Sequence, residues 1–193
     1  MANLPWQPGD ALLIVDPQID FFPGGALAVP QGDEILPLLN QWLAAAESNQ
    51  ISVYISRDWH PKNHCSFQEQ GGPWPVHCVQ DTPGAEFHPA LKVPLAAKLI
   101  NKADNPNFDA YSAFKGKTLL GQDLTDDLYA QGIKKLWIAG LALDYCVYHS
   151  AMDAKAAGFE VHLLLKGTRA IDQQQATKVL KEMTAAGILI EQD

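Results

Sequence analysis

The sequence is poor in cysteine, in positive charge and in long apolar runs. Its three cysteines, Cys65, Cys78 and Cys146, make an odd count with no CxxC pair. That argues against a disulfide framework and fits a reducing, cytoplasmic setting. Lysine and arginine total 14 against 22 acids, giving a net charge of −8 with no basic run. Nucleic acid and anionic membrane surfaces are therefore not expected partners. No apolar stretch approaches a membrane span, and the opening "MANLPWQPGD" lacks the basic and apolar regions of a signal peptide. Repeats, low-complexity tracts and long linkers are missing too. What is there is a 193-residue chain, 47% hydrophobic, sized for one compact domain over 1–193.

Its patterning alternates. Apolar or β-branched strand candidates fall at 11–16, 51–60, 99–101, 134–143, 160–167 and 188–192. Helical periodicity falls at 33–49, 123–132, 145–158 and 172–187, the last three closed by glycine at their ends. Near-continuous apolar strands between helices predict an α/β fold: a Rossmann-like three-layer α/β/α sandwich on a mainly parallel sheet of about six strands. In such a sheet ligands bind beyond the carboxyl ends of the strands. That singles out Asp16, Asp58, His60, Lys102 and Cys146. The stretch 61–97 breaks the alternation. It is rich in proline, glycine and histidine, and a long irregular segment in a compact domain is usually functional or disordered. Its tryptophan, cysteines and histidines argue against disorder.

"RDWH" places Asp58 and His60 two apart at a strand end, so both side chains point to one face. His64, His77 and His88 follow in the irregular stretch. One aspartate and two histidines with open positions suit zinc, iron or manganese at a catalytic site. The tripeptide alone is common, and Cys65 and Cys78, each following a histidine, leave a closed His/Cys zinc site as another option.

Asp16, Lys102 and Cys146 stand at the ends of three strands. Asp144 is a suitable N-cap for a helix starting at Tyr145. Cys146 then falls in the first turn, where free N–H groups and the helix dipole favour a thiolate of lowered pKa. Lys102 would lower it further, and Asp16 could carry the proton. Cysteine is also among the most buried residue types, so a core filler and a simple Asp–Lys ion pair account for each residue taken singly.

Five segments in order carry a resemblance. "LLIVDPQIDFFPGGALAV", "SRDWHPKNHCSF", "WPVHCVQDTPGAEFHP", "NKADNPNFDAYSAF" and "AGLALDYCV" resemble the motifs of the nicotinamidases within the isochorismatase-like hydrolase superfamily, over nearly the whole chain. The resemblance implies a metal-dependent amidohydrolase that converts nicotinamide to nicotinic acid and ammonia in NAD salvage, and that also hydrolyses pyrazinamide. It implies Cys146 as nucleophile, Asp16 as proton carrier and Lys102 as the group stabilising the thiolate. It implies Asp58, His60 and His77 as ligands of a divalent metal, zinc before iron or manganese. Phe21, Trp74 and Tyr111 would flank the substrate ring. A cis peptide before Ala142 would aim the Ala142 and Cys146 N–H groups into an oxyanion hole. Dimers and tetramers are frequent in the superfamily, so a homo-oligomer is compatible with it.

Three positions depart from the family: Ile19 where Asn or Val is usual, Ala103 where Gly follows the lysine, and Leu143 where Thr precedes Asp144. Leu143 removes a hydroxyl near the site and is where substrate preference is expected to differ. The role of His64 stays open. Ureidoacrylate and N-carbamoylsarcosine amidases of the same superfamily share the Asp–Lys–Cys set but generally lack the DxH…H pattern. A non-catalytic protein on the same fold is the third reading.

Overall fold

The computed structural model describes residues 4–192. Its strands are β1 (Asp10–Val15), β2 (Ser52–Asp58), β3 (Lys98–Lys102), β4 (Lys117–Thr118), β5 (Lys135–Leu141), β6 (Glu160–Arg169) and β7 (Leu189–Glu191). Its α-helices are α1 (Leu36–Ser48), α2 (Leu124–Ala130), α3 (Tyr148–Ala156) and α4 (Gln173–Ala185). The sheet runs β4-β3-β2-β1-β5-β6-β7, and every neighbouring pair is parallel except β3 with β4. The pattern-based count of six strands is one short. The added strand, β4, has two residues at the sheet edge, too few to show a period.

β1, "DALLIV", is buried at every residue. Alternation divides it between two cores. Ala11, Leu13 and Val15 pack with Leu128 of α2, Ala154 of α3 and Val179 of α4. Leu12 and Ile14 pack with Leu39, Trp42 and Leu43 of α1 on the opposite face. A strand covered on both faces must be apolar throughout, which is why this one reads as an unbroken run. Each fully buried leucine contributes about 1.5–3 kcal/mol through area removed from water. The helices start where local chemistry allows. Pro37 lies in the first turn of α1, where no N–H is needed. Asp172 caps α4 by accepting from the Gln174 and Gln175 N–H groups.

The chain builds outward from β1 to β2 and β3, then returns to place β5 on the other side of β1. The crevice beyond the carboxyl ends of β1 and β5 is therefore the topological switch point. Gly140 permits the close approach of these two strands. Its φ is +118°, and an added Cβ would sit 2.1 Å from the Val15 carbonyl oxygen.

The stretch 61–97 holds only short 3-10 turns, Gln68–Gln70 and Pro83–Ala85. Single bridges tie it down at His60–Val79, Phe67–Trp74 and Gln18–Phe87. The helix after β5 differs from expectation. A π-helical turn, Leu143–Val147, precedes α3, and Ala142 occupies the capping position. Asp144 is not the cap: its carboxylate accepts from the Ile171 and Asp172 N–H groups, fastening the β6–α4 connection instead. Among the described residues, no helix is long and apolar enough to cross a membrane.

Candidate active site

The carboxyl ends of four adjacent strands bring the polar residues together. Asp16 follows β1 with φ +46°, Asp58 ends β2, Lys102 ends β3 and Cys146 lies in the turn after β5. A small cleft of about 30 Å³ opens beside them, lined among others by Phe21, Asp58, Trp74, Tyr111, Ala142 and Cys146. His60 and His77 also line it.

Lys102 is the centre of charge. It is 1% exposed, a condition a lysine tolerates only when paired. Its Nζ lies 2.9 Å from Asp16 Oδ2 and 2.5 Å from Asp58 Oδ1. The same Nζ is 3.4 Å from Cys146 Sγ and donates to the Ala110 carbonyl at 3.2 Å. Burial works against the ammonium, but the Asp16 and Asp58 carboxylates outweigh it and hold Lys102 protonated, well above its ordinary value. Asp58 responds in the opposite sense. Burial pushes its carboxyl up, yet the Lys102 ammonium brings it below its ordinary value.

Asp16 is fully buried. Desolvation raises its pKa from 3.8 to about 6, although Lys102 and the Ser56 hydroxyl both favour the carboxylate. Ser56 Oγ donates to Asp16 Oδ1 at 2.7 Å. An oxygen of Asp16, an oxygen of Asp58 and the Cys146 sulfur all lie within 4.8 Å of one another. Cys146 departs from the helix-dipole expectation. Burial pushes its thiol well above the ordinary value, and Asp16 and Asp58 add to that against Lys102. Burial beside two carboxylates therefore favours the neutral thiol at rest.

Asp58, His60 and His77 offer donor atoms within 4.8 Å of one another. His60 Nδ1 lies 3.1 Å from the His77 carbonyl and His77 Nδ1 lies 2.7 Å from the Pro75 carbonyl. A carbonyl oxygen only accepts, so each Nδ1 carries a proton, which leaves Nε2 as the nitrogen able to ligate. The two Nε2 atoms stand 4.0 Å from the Asp58 oxygens, beyond hydrogen-bond reach. Burial lowers the His60 pKa to about 4, so its ring is neutral near pH 7. One carboxylate and two imidazoles whose Nε2 atoms face it fit a divalent cation. His64 stands beside this set, its donor nitrogen within 4.8 Å of donor atoms of His60 and Asp109. Its Nδ1 is 2.7 Å from Ser66 Oγ and its Nε2 is 3.2 Å from the Phe108 carbonyl, which engages both nitrogens.

Three aromatic residues from separate segments form one wall. Trp74 Nε1 donates to Tyr111 Oη at 2.9 Å. Tyr145 meets Trp74 edge-on, with centroids 4.9 Å apart, and leans on Tyr111 at 5.6 Å. The Leu141–Ala142 peptide is cis, and the Ala142 carbonyl accepts from the Tyr145 and Val147 N–H groups.

The sequence reading missed Ser56 and Tyr145. Ser56 was within reach, because it stands two residues before Asp58 on the same strand face. Tyr145 adjoins Cys146, but an aromatic neighbour carries no signal by itself. Leu143 is placed differently from the expectation. It packs in the helix-side core with Val147 and does not line the cleft. Ala103 has φ +53°, a left-handed conformation that explains a glycine preference there and costs an alanine about 1–2 kcal/mol.

The chain is similar to known proteins. The isochorismatase domain family matches residues 10–192. The nicotinamidase of Escherichia coli (strain K12) is 39% identical over 202 aligned positions, covering 93% of each chain. The crystal structure of the pyrazinamidase of Pyrococcus horikoshii in complex with zinc is 45% identical, with a TM-score of 0.90, over 96% of this chain and 100% of that one. PnC1 from L. infantum in complex with nicotinate is 36% identical with a TM-score of 0.83, over 96% of this chain and 93% of that one. With a match across nearly its full length and relatives this similar, the chain belongs to the isochorismatase domain family.

Proposed function

We propose that this protein is a nicotinamidase: it hydrolyses nicotinamide to nicotinic acid and ammonia through a thioester on Cys146, and accepts pyrazinamide as well. The observation that carries the reading is the buried Asp16–Lys102–Cys146 cluster, whose cysteine lines one cleft with Asp58, His60 and His77. Relatives named nicotinamidase and pyrazinamidase, one of them bound to zinc and one to nicotinate, support it.

Asp16, with a pKa near 6, is a carboxylate at neutral pH and accepts the Cys146 proton. The resulting thiolate sits 3.4 Å from the Lys102 ammonium, which offsets its charge as it forms. The sulfur attacks the carboxamide carbon. The Ala142 and Cys146 N–H groups stabilise the tetrahedral oxyanion. Asp16 returns the proton to the amide nitrogen, and ammonia leaves as the C–N bond breaks. Water then loses a proton to Asp16 and attacks the thioester, releasing nicotinic acid and restoring the thiol.

Asp58, His60 and His77 would hold a divalent metal, zinc in the first place, with iron and manganese also suited to the donor set. When bound, the metal supplies a Lewis-acidic anchor for the pyridine nitrogen, so its contribution is positioning. Phe21, Trp74 and Tyr111 enclose the ring. The test is ammonia release from nicotinamide by purified protein, with and without chelator, alongside elemental analysis. Activity lost on chelation and restored by zinc supports the reading. Hydrolysis of carbamoyl compounds, but not of nicotinamide, would replace it with the carbamoyl-amidase reading.

A further inference from the structure

The opening motif "DPQID" contains two polar side chains that the mechanism leaves unused, Gln18 and Asp20. Neither reaches the reacting atoms, yet each grips the backbone of one arm of the Asp58, His60 and His77 set.

Gln18 is fully buried. Its Oε1 accepts the Asp58 N–H at 2.8 Å, and its Nε2 donates to the Asp58 carbonyl at 2.7 Å. The side-chain amide thus pairs with both polar groups of one peptide residue, as a neighbouring strand would. β1 has already ended at Val15, so this amide extends the sheet pairing to the last residue of β2. The second Nε2 proton goes to the Ala85 carbonyl at 2.9 Å, joining the strand end to the irregular segment.

Asp20 grips the other arm. Its Oδ2 accepts the Cys78 N–H at 2.7 Å, directly after His77. Its Oδ1 accepts from Ala26 at 3.2 Å. Cys78 passes the constraint on, because its carbonyl accepts the His60 N–H at 3.0 Å. Cys78 also holds φ +46°, a conformation that needs outside support in a residue with a side chain. The fit around Asp20 is close. A Cβ added at Gly84 would lie 2.2 Å from its Oδ2.

From this geometry we infer that Gln18 and Asp20 are positioning residues that fix the spacing of Asp58, His60 and His77 for a divalent cation: Gln18 through the Asp58 peptide, Asp20 through Cys78. The inference rests on the proposed metal-binding reading and extends it beyond the ligands. Outer groups that orient metal ligands typically change affinity by roughly 10- to 100-fold when removed.

The experiment is a zinc titration of metal-stripped, full-length protein against a chromogenic chelator, for wild type, Gln18→Met and Asp20→Ala. Thermal melts of the metal-free forms and visible spectra of the cobalt-loaded forms accompany it. The expected result is zinc binding weakened roughly 10- to 100-fold in both variants, with altered cobalt bands. Saturating zinc is expected to return ammonia release from nicotinamide to near the wild-type rate. A purely structural role would lower the melting temperature and leave the zinc affinity and cobalt bands of the folded variants at wild-type values; that result overturns the inference. Should Gln18→Met not fold, Gln18→Glu, which keeps the Oε1 acceptor and loses both donors, carries the same expectation and the same overturning result. Wild-type protein that binds no zinc overturns the inference and the metal reading together. Wild-type protein that binds zinc but spares nicotinamide sinks only the functional reading, and the titration still decides the roles of Gln18 and Asp20.

Discussion

The Lys102 ammonium stands 3.4 Å from the Cys146 sulfur, and both are buried. The contact does not make a resting thiolate, because Asp16 and Asp58 already hold the lysine's charge and desolvation keeps the thiol protonated. In the proposed mechanism the pair becomes favourable when Asp16 takes the proton. One carboxylate charge is then lost just as one thiolate charge appears, and the net charge around Lys102 is unchanged. The arrangement lowers the barrier without stabilising an exposed reactive thiolate.

The pH dependence follows from Asp16. Its pKa is raised to about 6, and only the carboxylate can accept the thiol proton. Below that pH the protonated fraction grows, so kcat/KM for nicotinamide is expected to fall tenfold per unit on the acid side of an inflection near pH 6. Asp16→Asn should remove the inflection together with the activity. A pH–rate profile that stays flat from 5 to 7 would falsify the assignment, the range being set by the value near 6.

Cys146→Ala removes the only sulfur that lines the cleft among the described residues. Residues acting as one unit lose most of their rate when the nucleophile goes, so ammonia release is expected to drop by at least ~10⁴-fold. Zinc affinity should stay near wild type, since Cys146 is not part of the Asp58, His60 and His77 donor set. Measurable turnover together with normal metal binding would show that another group attacks the amide.

Lys102→Met leaves the Asp16 and Asp58 carboxylates buried without their shared cation. Breaking a buried pair in this way costs about 3–5 kcal/mol. Denaturant unfolding at fixed zinc concentration should show a loss of that order near pH 7. The loss should shrink as pH falls and Asp16 takes up a proton, because neutralising it relieves the unpaired charge. A loss that does not change with pH would mean packing of the lysine stem, not charge, sets the effect.

Tyr111→Phe deletes the acceptor of the Trp74 Nε1 proton while keeping the ring. One neutral hydrogen bond is worth about 0.5–1.5 kcal/mol. KM for nicotinamide is expected to rise by about 2- to 12-fold, the same energy expressed as a ratio, with kcat close to wild type. Steady-state kinetics decide it: an equal fall in kcat and kcat/KM would place Tyr111 in the chemistry and not in ring positioning.

Much of this was written locally in the chain. β1 announced itself because a strand buried on both faces must be apolar throughout. The Asp58–His60 pair was legible because a strand repeats every two residues, and Cys146 because it follows an apolar strand. The two-residue β4 left no period to read, and Asp144 looked like a helix cap because its carboxylate's true partners, Ile171 and Asp172, lie far along the sequence.

The sequence by itself determined the alternation of strands and helices, the covered parallel sheet and the short list of reactive side chains, since these depend on local periodicity and residue chemistry. Only the tertiary structure decided which of them meet. Lys102, Asp16, Asp58 and Cys146 come from four strand ends, and desolvation, a property of the assembled core, turned the expected thiolate into a neutral thiol and raised Asp16 toward neutrality. Burial is a sum over distant segments, and no window of sequence contains it.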